Sequence, residues 1–575
     1  MLFTEIYAVN YYIDERVIIL ELNTKNIMAA KIQRGYTFLN RLEESSLNGY
    51  EENTKLLLKI IDENKNTEIG RKYDFASIKT VKDYIKKVPF SQYEDYENDI
   101  KRIMQGEKDI LFSREITHFA TSSGSSGEPK YVPMCLEAEQ LFAAYTHGLC
   151  FAVMDKEIGE NMIEGRGVSF TEVRFKPTEN GISTGAVSGK VRYQHKDNEN
   201  IVYTTPMCIS YPKGKMNFPY LHLRFALMEE DLSFITCTFM TAAADTFKYL
   251  EDNWQILVED IAQGTISSDV RVPFSVREEV LPLLKPMEKR AKFLKEEFEK
   301  GFDGILPRIW PKLKFLFGIG GGSFKVYTEK VKRYLGDVKI HYSVYSASEG
   351  IFAAPIKSNT EDMVLIPFSN FYEFREINDE SGKTVTLDKL EAGKDYEVII
   401  TNLSGLYRYK IKDVIRVTGF FNTLPKIQFL YRINQLINIA GEKTNDDVMN
   451  TVMALSAKEL NIDMTEYSVY ADTASSPGRY IVFLEAKSID GKTKDVKKAQ
   501  EVIEKYLCKF NHSYEDKIAH KKLSHLKVCF LREKSYAVYR ELMAAKGVSP
   551  NQLKPVRVID NEFRENFFFS MEEKL

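Results

Sequence analysis

What the chain lacks narrows the field first. Its 575 residues include only two tryptophans and six cysteines. Cys135, Cys150, Cys208, Cys237, Cys508 and Cys529 form no CxxC pair and no metal-ligand spacing. That argues against a structural zinc site or a disulfide framework and for a reduced, cytoplasmic protein. No run approaches the roughly 18 apolar residues of a membrane span. The opening MLFTEIYAVNYYIDER has early acidic residues and lacks the basic-then-apolar order of a secretory leader. An excess of one charge is missing too: 79 basic against 82 acidic residues leave a formal net charge of -3. Without a global basic field, nucleic acid is not an expected partner, and neither is a membrane. No internal repeat is visible.

What is present is ordinary globular composition, 44% hydrophobic and 28% charged, with length for two to four domains. Phenylalanine (36) and tyrosine (32) are abundant and suit either cores or a flat apolar pocket. The first hundred or so residues read as mainly helical, and ILFSREITHFA predicts a strand entering a loop. Residues 210–314 read largely as helix. KFLFGIGGG and VKIHYSVYSASEG each predict a strand followed by a small-residue turn. YEVIITNLSGLYRYKIKDVIRVTGF predicts successive strands turning at Ser404–Gly405. Beyond about Leu430, two amphipathic helices alternate with the strands TEYSVYAD, RYIVFLEA and HLKVCFLR, a compact α+β unit. The expectation is an α/β protein: a large N-terminal domain over 1–430 with mixed sheets and helices, and a small α+β domain over 431–575. The tail RENFFFSMEEKL is expected to dock its phenylalanines on the same chain.

One stretch carries chemistry more openly than the rest. Residues 121–130 read TSSGSSGEPK. Alone, a Ser/Gly/Thr cluster is as often a linker as a site. Here it follows a strand-like run, ends in Lys130, and gives way at once to the apolar YVPM. Small side chains let backbone N–H groups approach phosphate oxygens, hydroxyls add donors, and a lysine neutralises charge. The stretch is not GxxxxGK[ST], because Glu128 and Pro129 follow Gly127, and it carries no dinucleotide fingerprint.

The segment resembles the first phosphate-loop motif of acyl-adenylate-forming enzymes, and more specifically that of the Gretchen Hagen 3 (GH3) family of acyl-acid–amido synthetases. Further stretches agree in order and spacing. YSASEG, from Tyr345 to Gly350, resembles the family's Tyr–small–small–Ser–Glu motif. GGSF, from Gly321 to Phe324, resembles its glycine–serine turn, with phenylalanine where plant members commonly have methionine. SGLYRYKIKDVIRVTGF resembles the signature around the ribose-binding aspartate, with Lys412 in place of the usual glycine. FLYRINQLINIAGEKTN resembles the segment joining the two domains, with Glu442 where an aspartate is common. GVSPNQLKPVRV resembles the C-terminal GAS-x-x-QYK-x-P-R motif, with Leu553 for the aromatic and Val556 interposed before Arg557.

The resemblance implies ATP and Mg2+. It implies nucleotide contacts from Ser122, Ser123, Gly124, Ser125, Ser126, Gly127, Lys130, Gly322, Ser323, Tyr345, Ser346, Ala347, Ser348, Asp413, Arg432 and Lys443. Glu349 would hold the magnesium ion, and Lys554, Glu349 and Ser125 would act in catalysis. The physical tasks fit the residue types. A carboxylate meeting a triphosphate needs a cation between them, and Asp413 offers two acceptor oxygens to a vicinal diol. The implied reaction adenylates a small carboxylic acid and passes the acyl group to an amine, with an amino acid expected. A CoA ligase of the same superfamily and a non-catalytic nucleotide-binding scaffold remain the alternatives. The acyl pocket is expected among the middle helices and residues 203–240, and His195 and His222 are weak candidates for a proton acceptor. Oligomeric state is not readable.

Overall fold

The computed structural model describes residues 23–123, 129–159, 162–193, 196–212, 216–320, 325–358, 360–377, 379, 382–433, 435–488, 494–545, 556–559 and 562–573. Helices dominate its first hundred positions. The helix Thr24–Ser45 is capped by Asn23, whose side chain accepts from the Asn26 amide at 2.9 Å. It buries Met28, Ile32, Gly35, Leu39 and Leu42, the three- and four-residue spacing of one helical face. At Gly35 the packing leaves no room for a side chain: a Cβ there would lie 2.0 Å from the Gly148 carbonyl oxygen. That contact seats the helix on the π-helical turn Ala144–Leu149.

Three sheets make up the large part of the molecule. The strands Pro129–Cys135, Ile116–Ser123, Ser183–Gly185 and Phe175–Pro177 form one, in that spatial order. A second is wholly parallel, ordered Gly167–Ser169, Phe234–Phe239, Phe315–Ile319, Lys339–Tyr342. The strand Phe234–Phe239 corrects the largely helical reading of 210–314. It is short, it runs straight into the helix Met240–Gln263, and it is buried inside a sheet, so it lacks the alternation that marks a half-exposed strand.

The third sheet has seven antiparallel strands, ordered Asn370–Glu376, Asp395–Asn402, Tyr409–Phe421, Leu424–Arg432, Met363–Leu365, Gly350–Ala354, Tyr345–Ala347. Its edge revises the reading of YSASEG as a plain turn: Tyr345–Ala347 is a strand that pairs back on Gly350–Ala354. The strand Leu424–Arg432 carries Tyr431 and Arg432 as paired members of this sheet.

Beyond it, the strands Lys527–Phe530, Arg479–Ser488, Ile462–Asp472 and Val558–Ile559 form a fourth sheet, covered by the helices Asp446–Leu460 and Val496–Phe510. Two large hydrophobic cores run through the molecule. One joins the N-terminal helices to the seven-stranded sheet. The other continues from the parallel sheet through Tyr327 to Ile439, Met449 and Tyr480. The tail helix Glu562–Ser570 packs in cis: Phe568 is fully buried among Phe483, Tyr536 and Tyr539.

Candidate active site

Sheet register brings the central residues together. Asp413 and Arg432 stand opposite each other on adjacent strands. The guanidinium therefore meets the carboxylate as a fork, Nη2 donating to Oδ2 at 3.0 Å and Nε donating to Oδ1. The Tyr345 hydroxyl, from the far edge of the same sheet, donates to Asp413 Oδ2 at 2.8 Å. Asp413 is 1% exposed. Burial works against the charge on Arg432, but the adjoining Asp413 carboxylate outweighs it and holds the guanidinium above its ordinary range. Burial, then the Asp413 charge, raises the Tyr345 phenol well above its usual value and keeps it a donor. Its ring lies between Phe352 and Phe429, with centroids 4.9 and 5.7 Å away.

Lys412 has φ 63°, the left-handed conformation that glycine adopts freely and that strains other residues. The family's glycine at this position thus has a backbone reason, and this chain keeps the geometry with a lysine.

Glu349 sits in the turn of the edge hairpin. Its carbonyl accepts from Asn402 Nδ2 at 2.7 Å and its Oε1 accepts from the Tyr409 hydroxyl at 3.5 Å. Among the described residues nothing else binds its carboxylate, which lines the cleft. Lys443, also left-handed at φ 49°, lines the same space. Burial and then the Arg432 charge lower its pKa, while Glu349 and Asp413 oppose them. Glu442, beside it, is a scaffold: its carboxylate accepts from the Ile439 and Ala440 amides at 2.6 and 2.7 Å and from the Tyr480 hydroxyl at 2.9 Å.

The strand Ile116–Ser123 reaches the cleft at Thr121. Ser348 Oγ donates to the Thr121 carbonyl at 3.3 Å, and both residues line the cleft with Ser346 and Ala347. The strands flanking the serine–glycine segment pair Ser122 with Lys130 and Ser123 with Pro129. Gly124, Ser125, Ser126 and Gly127 lie outside the described residues, as do Gly322, Ser323 and Lys554. Lys130 is not among the residues lining the cleft. Its ammonium pairs with Glu94 at 3.0 Å and lies 4.7 Å from the centre of the Tyr93 ring.

The cleft opens into a cavity of about 910 Å3. One end holds Glu349, Asp413, Arg432 and Lys443, and the remainder is a mainly apolar chamber with Phe142, Val187, Val191, Val202 and Phe317. Tyr203 and the strand Phe234–Phe239 contribute to it, while Met207–Ser210 do not. His222 lies outside it, buried against Thr205 (3.0 Å), and burial brings its imidazole down to about 3. His195 lies outside the described residues. Sequence reasoning gave no site role to Thr121, Asn438 and Lys31 and read Tyr409 as core or pocket wall; all four lie within or beside the cleft. Thr121, Tyr409 and Asn438 had a signal, each lying within a motif, and Lys31 had none.

Comparison with known proteins identifies the family. The GH3 family N-terminal domain matches residues 38–340, the GH3 family central domain 363–432, and the GH3 family C-terminal domain 446–562. Among curated relatives, the indole-3-acetic acid-amido synthetase GH3.17 of Arabidopsis thaliana is 30% identical over 491 residues, covering 78% of this chain and 80% of its own. GH3.4 of the same plant, another indole-3-acetic acid-amido synthetase, is 28% identical and covers 91% of each chain. The jasmonoyl--L-amino acid synthetase JAR4 of Nicotiana attenuata is 27% identical over 75% of this chain and 78% of its own. The solved GH3.15 acyl acid amido synthetase shares the fold, with a TM-score of 0.64 at 24% identity over 93% of this chain and 96% of that one. The class is therefore that of acyl-acid–amido synthetases, amide-forming ligases of α/β architecture. With one family model spanning more than half of its length, the chain belongs to the GH3 family.

Proposed function

We propose that the cleft uses ATP to activate a small carboxylic acid as an acyl adenylate and then transfers the acyl group to an amino acid. The carrying observation is the convergence of Tyr345, Glu349, Asp413, Arg432 and Lys443, from separate motifs, at one end of a single cavity. A carboxylate resists attack because its leaving group would be oxide. Esterification to AMP replaces that leaving group, and no covalent enzyme nucleophile is needed.

In this reading Ser122, Ser123, Gly124, Ser125, Ser126 and Gly127 hold phosphate oxygens, with Gly322 and Ser323 nearby. Tyr345, Ser346, Ala347 and Ser348 line the nucleoside, and Asp413 orients the ribose. Oδ1 of Asp413 keeps a lone pair beyond its bond to Arg432, so a ribose hydroxyl can be added without displacing the fork. Arg432, Lys443 and Lys554 balance phosphate charge.

Among the described residues no cluster of three His, Cys, Asp or Glu could hold a metal alone. That suits Mg2+, which binds through one or two carboxylates and completes its shell with phosphate oxygens and water. Glu349, with Oε2 unengaged among the described residues, fits as its protein ligand. When bound, Mg2+ would neutralise charge on the phosphates. The domains divide near 430/431, with 1–430 binding acid and nucleotide and 431–575 mobile. Among the described residues no helix is long and apolar enough to cross a membrane, and all six cysteines are free, which supports a cytoplasmic setting.

The test is acid-dependent ATP–pyrophosphate exchange, followed by mass spectrometry of products formed with amino acids or CoA. Glu349→Gln should lower exchange at least a hundredfold, the scale of removing one preorganised charge from a reacting centre, without changing the melting temperature by more than a few degrees. Thioester rather than amide products would favour a CoA ligase. Absence of ATP binding and of exchange across a broad acid panel would favour a scaffold.

A further inference from the structure

The end of the cavity with Lys31 is built around a cation that has no counter-ion of its own. Lys31 projects from the helix Thr24–Ser45 into the cavity and makes no hydrogen bond or ion pair among the described residues. Its surroundings explain the gap. Glu199, the carboxylate whose charge acts on Lys31, binds Arg192 through Oε1, which accepts from Nε at 2.9 Å and from Nη2. The remaining Arg192 donors go to Ser169 Oγ at 3.1 Å, Ser210 Oγ at 2.9 Å and the Thr171 carbonyl. The guanidinium carbon lies 5.2 Å from the Tyr203 ring centre. That pair balances its own charge, with Glu199 Oε2 outside the fork. His147, the next polar neighbour, is held uncharged by burial and then by Lys31 itself, its imidazole falling to about 3.

The Lys31 ammonium, brought down to about 8 by burial with Glu199 opposing, is charged in a large fraction of molecules at neutral pH. An ammonium half-buried at the cavity wall, with no ion pair among the described residues, is unfavourable. A protein that keeps one beside an apolar chamber gains from it when a ligand brings the opposite charge. The charges at the other end of the cavity belong to a separate group: Lys443 responds to Arg432, Glu349 and Asp413, and Lys31 responds to none of these.

We propose that the acid substrate carries a second anionic group, away from the carboxyl that is activated, and that Lys31 is its counter-ion. The substrate class is an apolar or aromatic acid with a distal carboxylate or comparable anion. The inference rests on the acid-activating reading of the cleft and names the substrate class for it.

The test uses the full-length protein and matched acid pairs, terephthalate against para-toluate and suberate against octanoate. Wild type, Lys31→Met and Lys31→Arg are compared in ATP–pyrophosphate exchange without any amine, and separately in calorimetric binding of each acid to the ATP-free protein. Lys31→Met should lower exchange kcat/KM and affinity for the diacids roughly tenfold to a hundredfold, the loss of one charge-assisted hydrogen bond. The monoacids should be unaffected, and Lys31→Arg should recover most of the difference. Lys31→Met should also raise the melting temperature of the unliganded protein, whereas a lysine stabilising the fold through Glu199 would lower it.

Exchange with the monoacids alone, or diacid behaviour unchanged in Lys31→Met, would overturn the inference and leave the acid-activating reading standing. An effect confined to the KM of the amino acid would overturn it too, by assigning Lys31 to the acceptor's carboxylate. Lys31-dependent diacid binding without exchange in any pair would keep the anion site and remove the acid-activating reading. Neither binding nor exchange of the diacids would remove the anion site.

Discussion

Asp413 concentrates the electrostatics of the cleft in one side chain. Two donors from Arg432 and one from Tyr345 converge on a carboxylate with almost no exposure. Removing its charge leaves Arg432 without its partner. Because the arginine side chain keeps 26% exposure, water recovers part of the loss, and the full penalty of a sealed ion pair does not apply. Asp413→Asn is therefore expected to destabilise the protein by about 1–2 kcal/mol in urea unfolding. It should depress exchange by a far larger factor, because Asn keeps one acceptor oxygen to serve the Arg432 fork, the Tyr345 hydroxyl and the proposed ribose hydroxyl together. Unchanged exchange in a folded Asp413→Asn protein would remove the residue from the site. Asp413, Arg432, Tyr345 and Glu349 were legible because each sits in a contiguous motif. That Asp413 is already engaged by a fork and a phenol was not, since the pairing joins residues 19 and 68 positions apart.

The decisive contact between elements is that of the helix Thr24–Ser45 with the π-helical turn Ala144–Leu149. Gly35 and Gly148 let the two backbones approach, and the same approach places Lys31 beside His147 at the cavity wall. Gly35→Ala inserts a methyl group where a carbonyl oxygen already lies 2.0 Å away. The backbone must move, and overpacking of this kind costs about 1–3 kcal/mol, against a gain of under about 1 kcal/mol in helix propensity. Net destabilisation by denaturant titration is expected, together with a raised KM for the acid and little change for ATP. Equal effects on both substrates would mean the contact does not shape the acid end. The helical character of this region was readable without its bounds, and so was the apolar stripe of Val496–Phe510. The strand Phe234–Phe239 was missed because a short central strand of a parallel sheet has no exposed face to set a period.

Two expectations concern the molecule as a unit. His147 and His222 fall to about 3 and His341 to about 4, each mainly through burial. Their folded values lie below the unfolded value near 6.5, so the unfolded chain binds more protons as pH falls. Stability from keeping them neutral is present above about pH 6.5 and is lost progressively towards pH 3–4, by up to about 1.4 kcal/mol per pH unit for each histidine. Melting temperature should thus fall steeply between pH 6.5 and 4, and His341→Leu should flatten the slope. An unaltered slope would mean that this ring is protonated without unfolding.

The other expectation concerns the proposed mobile domain. Lys330 Nζ donates to the Ser475 carbonyl at 3.2 Å, linking the helix Lys325–Leu335 to the C-terminal unit. A short covalent tether between cysteines introduced at 330 and 475 should slow one half-reaction at least tenfold more than the other. Equal loss of exchange and amide transfer would count against domain rotation.

Residue order alone established the chemistry-bearing segments, their sequence along the chain and the family they resemble, because each motif is a local run whose residue types suit one task. Folding decided what those runs face. It determined that Asp413 is shared by Arg432 and Tyr345, that Lys130 turns to Glu94, and that a lysine from the first described helix lines the cavity. These outcomes depend on register and packing between distant segments, which local sequence carries only in combination.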